Sequence, residues 1–225
     1  VRRVIVVLSA FVIGVLGVAV LSGPANAETG WISPGSTVCT DRTQSSGGVT
    51  IYGIGNNQPS LWTVFAASTV NGPETVVFRR STGSIENYPT VTHPDPGTYF
   101  YRFCVQNPRT DGFRQVVKLR MYGNGPIGQA GIGPHNAVLT QNSMFCGEFS
   151  RGAARFVARS NVPVRFWLQG FDSDYSSRHI VFDVTGTAVD QVVALPAELH
   201  SMEACVSTPA SATATATVSF DLVGA

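Results

Sequence analysis

Cys39, Trp62 and Cys104 are spaced C-x22-W-x41-C, and Cys146, Trp167 and Cys205 repeat the order as C-x20-W-x37-C. The surroundings repeat as well: a Ser three residues before each first cysteine (Ser36, Ser143), a Ser six residues after each Trp (Ser68, Ser173), and Cys-Val-x-x-Pro at Cys104 and Cys205. A chain with such self-similarity is built from two copies of one unit. Four cysteines allow three pairings, and only Cys39–Cys104 with Cys146–Cys205 treats the copies alike.

Within each copy the apolar runs are short, rich in Val, Phe, Tyr and Thr, and bounded by Gly, Pro, Asn and Ser. No stretch after residue 27 sustains a helical period over three turns. Seven strands per copy predict an all-β chain of two tandem antiparallel β-sandwich domains, each with one disulfide, after an N-terminal signal peptide. The expected divisions are 1–27, 28–122, a Gly/Pro-rich exposed linker over 123–136, and 137–225. Strand parity sets Cys104 on the side of Arg102 and Cys205 on the side of Glu203, opposite the apolar residues. The bridges are therefore expected on the outside or rim of each sandwich. The matched tryptophans are expected in the cores.

The run Asp95-Pro96-Gly97-Thr98-Tyr99-Phe100-Tyr101-Arg102-Phe103-Cys104 resembles the approach to strand F in immunoglobulin-like domains, where Asp-x-Gly-x-Tyr leads through a tyrosine corner to the second cysteine. Here the tyrosine-to-cysteine spacing is longer, and each Trp stands about twenty residues after the first cysteine rather than about a dozen. The resemblance implies the sandwich architecture of bacterial extracellular repeats and no particular activity.

Arg2 and Arg3, the apolar run Val4–Leu21 and the sequence Ala25-Asn26-Ala27 read as a Sec-type signal peptide cut before Glu28, with membrane contact only before cleavage. One lysine among fifteen cations and a Val in first position fit a high-GC bacterium using a GTG start. The protein is expected to be secreted, oxidised and monomeric.

A formal net charge of +1 excludes the electrostatic footprint of a nucleic-acid binder. Residues 28–122 nonetheless hold eight cations against six anions, and residues 123–225 hold five against eight. Alternation on the strand around Gln115–Tyr122 places Lys118, Arg120 and Tyr122 on one face. Arg102 from the preceding strand and Arg109 from the intervening turn complete a basic, aromatic face of the type that meets an acidic glycan or protein, and a solvated outer sheet face is the preferred reading of it. Tyr52, Trp62, Tyr88, Tyr99 and Tyr101 offer flat rings to sugars, with the core preferred for Trp62, and Arg151, Arg155 and Arg159 share one strand parity in the second copy. Asp172 and Asp174, with Asp183 or Asp190, are the only carboxylates spaced to suggest calcium, and a solvated loop is the preferred reading of them. His93, His135, His179 and His200 are dispersed, so no metal, cofactor or catalytic residue is expected. The function expected is non-enzymatic binding of an extracellular protein or glycan. An inhibitor or accessory module acting through the loop Asn107–Phe113 ranks second, and an enzyme with an interdomain site ranks last.

Overall fold

The computed structural model describes residues 28–56, 58–125, 128–132, 134–174 and 177–224, and the signal-peptide reading of residues 1–27 lies outside them. The first copy supplies β1 (Glu28–Ile32), β2 (Thr37–Cys39), β3 (Arg42–Ser45), β4 (Val49–Gly55), β5 (Ser60–Ala67), β6 (Thr75–Thr82), β7 (Ser84–Ile85), β8 (Thr90–Val91), β9 (Tyr99–Gln106) and β10 (Gln115–Gly123). The second supplies β11 (Gly128–Ile132), β12 (His135–Leu139), β13 (Met144–Ser150), β14 (Ala154–Phe171), β15 (Arg178–Val193), β16 (Ser201–Ser207) and β17 (Ala216–Gly224). The chain is all-β among the described residues, and every pairing is antiparallel.

Following the hydrogen-bonded neighbours gives two layers, each running through both copies. Layer one reads β7 and β8, β4, β10, β1, β13, β16, then the 164–171 half of β14 and the first half of β15. Layer two reads β6, β5, β9, β2, β12, β17, then the 154–160 half of β14 and the second half of β15. The long strands β14 and β15 pass from one layer to the other at a register shift between Arg159 and Val164, where Pro163 has no N–H to give. β3 joins layer two by pairing with β9, and β11 pairs with β3, so the seventeen strands of the described residues belong to one sheet folded over on itself.

The copies meet through backbone. β1 of the first pairs with β13 of the second, and β12 of the second pairs with β2 of the first. At this junction the repeated serines face each other, with Ser36 Oγ 3.0 Å from Ser143 Oγ. Ser143 Oγ accepts from the Ser33 N–H and Ser36 Oγ from the Thr140 N–H, a symmetric pair of bonds, the first buried and the second partly so. One apolar core runs through both copies, from Ile51, Leu119 and Phe103 to Phe145, Phe156 and Phe220. The segment expected to be an exposed linker is part of this assembly: Gly123 ends β10, Gly128–Ile132 pairs with β3, and His135 in β12 is buried under Phe220. Edge pairing needs only backbone groups, so a glycine-rich strand leaves no apolar period in the sequence.

Both disulfides form as the repeat alignment requires, Cys39–Cys104 and Cys146–Cys205. Each joins residues directly opposite on neighbouring strands and lies on an outer face, away from the main core. Trp62 is fully buried in that core, its ring so close to Gly53 that a Cβ there would sit 2.5 Å from it. Trp167 is buried elsewhere, against Cys146, Cys205 and Met144 on the outer face of layer one. The corner bond of the first copy comes from Tyr101, whose hydroxyl accepts from the His93 N–H, while Tyr99 stacks on His93. Tyr101 is three residues before Cys104, so the tyrosine enters the core and the cysteine faces out.

Candidate binding surface

The outward positions of β1, β4 and β10 form a continuous face on layer one. Pairing sets Trp31 opposite Val116, Thr29 opposite Lys118, and Arg120 opposite Tyr52. Trp31 and Val116 are 48% and 49% exposed, a contiguous apolar pair on a flat sheet surface. The Arg114 guanidinium lies over the Trp31 ring, 5.4 Å from its centroid. Tyr52 and Tyr88 stack with ring centroids 4.7 Å apart, and Tyr88 takes a positive φ of 48° to present its ring there. Such a conformation is costly for a bulky residue and marks a place where side-chain position outweighs backbone preference. The Nε of Arg120 is buried with no hydrogen-bond partner among the described residues.

This face gathers Lys118, Arg120 and Tyr122, as the alternation predicts, and leaves out Arg102 and Arg109. β9 and β10 are consecutive but lie in different layers, because the hydrogen-bonded neighbours of β10 are β1 and β4. Arg102 therefore points from the outer face of layer two, where Glu74 binds both it and Arg42. Arg109 is held in its own loop by Asp111 and Gln58, with its guanidinium over Phe113. The residues that sequence reasoning missed are Trp31 and Arg114. β1 is five residues long, too short for alternation to be read, and Arg114 stands just before β10.

The equivalent place on layer two is a groove of about 370 Å³ over the Cys39–Cys104 bridge, lined also by Phe65, Arg102, Ala137 and Val138. The calcium reading loses its further ligands: Arg165 binds Asp183 and Arg155 binds Asp190, each through two hydrogen bonds, and Asp172 accepts from the Ser177 N–H. The one compact group of metal-ligand residue types among the described residues is Cys146, Cys205 and Glu203, and its sulfurs are joined to each other. Burial pushes the Glu203 carboxyl up to about 7, with the Gln169 amide, Arg178 and His135 pulling it back. No family model, curated protein or solved structure matches the chain.

Proposed function

We propose that this chain is an exported, non-catalytic binding protein that holds an anionic glycan of the bacterial cell envelope or medium on the outer face of layer one. The observation that carries the reading is the array itself. Trp31, Tyr52 and Tyr88 offer rings to sugar faces, Arg114, Lys118 and Arg120 supply positive charge, and the outward positions of β1, β4 and β10 hold no carboxylate. The two disulfides point to an oxidising compartment, which agrees with export. Retention of the purified protein on an immobilised polyuronate and on a neutral glucan tests the proposal. Trp31→Ala and the pair Lys118→Glu with Arg120→Glu are expected to abolish retention on the polyuronate while the melting temperature stays put. Salt should weaken binding by the native chain, because exposed ion pairs are screened. Equal retention by native protein and variants overturns the reading.

A further inference from the structure

β15 is sixteen residues long and pairs with β14 alone, which leaves its other edge bare along both layers among the described strands. The equivalent edge in the first copy is broken into β6, β7 and β8, interrupted by Gly83 and Pro89, and carries Arg79 and Arg80. Interruptions and charges of that sort are how proteins keep sheet edges from pairing. β15 has neither lysine nor proline, and its one arginine, Arg178, stands at its first residue over the Phe171 ring. A register shift against β14 skips Val181, and the two carboxylates of β15, Asp183 and Asp190, are neutralised by Arg165 and Arg155 on β14. Ile180 and Val192 stand on it 55% and 60% exposed.

We infer that β15 is a dimerisation strand that pairs antiparallel with β15 of a second copy about a two-fold axis at Gly186. That register sets Ile180 opposite the partner's Val192, and Val192 opposite the partner's Ile180, and it brings no like charges together. Charge along the β14–β15 hairpin is self-complementary in the same arrangement. The turn end holds Asp172, Asp174 and Asp183 with Arg165 and Arg178, and the far end holds Arg151, Arg155 and Arg159 with Asp190 and Asp221. A two-fold lays the acidic end of one copy beside the basic end of the other. Layer one of each protomer then continues into layer two of its partner. The same exchange already operates inside the chain, where β1 joins β13 and β12 joins β2. This surface is separate from the proposed glycan-binding face and does not depend on it.

The axis residue supplies the test. A Cβ at Gly186 meets nothing closer than 4.0 Å, so Gly186→Cys is accommodated, and directly opposed cysteines already form bridges in this protein with Cα atoms 4.0 and 4.1 Å apart. Sedimentation of the native protein is expected to show a dimer at micromolar concentration. Mild oxidation of Gly186→Cys should yield a covalent dimer on a non-reducing gel. Gly152→Cys, also in open space but far from the two-fold axis in sequence and register, should yield none. Ile180→Lys and Val192→Lys change only exposed positions, and each is expected to abolish the dimer with the circular dichroism spectrum unchanged. A monomer at every concentration, whether the edge stays bare or takes another protein's strand, overturns the inference, as does a dimer that survives both lysine variants.

Discussion

The two copies share the same strand pairings and differ on their outer faces. Counted from the second cysteine, Trp62 pairs with Val105, one residue past Cys104, whereas Trp167 pairs with Cys205 itself. The position equivalent to Trp62 is therefore Phe166, and that equivalent to Trp167 is Thr63. One residue of offset sends a side chain to the opposite face of a sheet, so two tryptophans that match in spacing serve opposite sides. The first copy puts its indole into the common core and leaves its disulfide under an open groove. The second puts a phenylalanine in the core and covers its disulfide with the indole.

The largest expected effect separates the tryptophans. Trp62→Ala should cost about 4 kcal/mol, because it empties a fully enclosed site between Gly53 and Phe103. Trp167→Ala should cost roughly half as much, since the void opens to solvent at an outer face. Urea denaturation of both variants checks this, and equal losses would break the comparison.

The disulfides give the next effect. They close loops with sequence separations of 65 and 59, each worth about 4 kcal/mol in the chain-entropy account. Their expected rates of reduction differ. A small thiol reaches Cys39–Cys104 through the groove, while Cys146–Cys205 lies beneath Trp167 and Met144. Timed alkylation and peptide mapping under native conditions should find Cys39 and Cys104 labelled first. In Trp167→Ala the two bridges should react at similar rates; an unchanged order there would show that something other than the indole shields the second bridge.

The cysteine pairing and the outward placement of the bridges were legible because both follow from repetition and strand parity, which survive changes in loop length. The tryptophan match was misleading because it counted residues through connections whose lengths differ between the copies. The junction was hidden for a different reason. β1 and β11 are short or glycine-rich, and their information lies in backbone bonds that any residue can make. Ser36 and Ser143 did carry the junction in plain view as repeated residues, but only the fold shows that they meet each other. Half of the candidate surface was legible from the alternation on β10. The rest depended on which strands flank it, and chain order points to β9 where the fold supplies β1 and β4.

The remaining effect is confined to a pH window and concerns the residue two before each second cysteine. In the first copy it is Arg102, partly buried, bound by Glu74 and set over the Phe65 ring. In the second it is Glu203, buried, accepting a hydrogen bond from Gln169 and feeling Arg178 and His135 through space. Burial raises the Glu203 carboxyl from 4.5 to about 7, so between those values the native state holds a proton that the unfolded chain has released. Stability from this group is then present in full below about pH 4.5 and declines as pH rises towards 7, by about 3 kcal/mol in all. Glu203→Gln keeps the shape and an amide that can face Gln169, and it cannot lose a proton. Its stability should therefore exceed that of the native chain increasingly as pH climbs from 4.5 to 7, and the gap should level off above that. Chemical denaturation of the two proteins across this range measures the difference directly, and parallel curves would mean that the Glu203 carboxylate is already charged and solvated in the folded state.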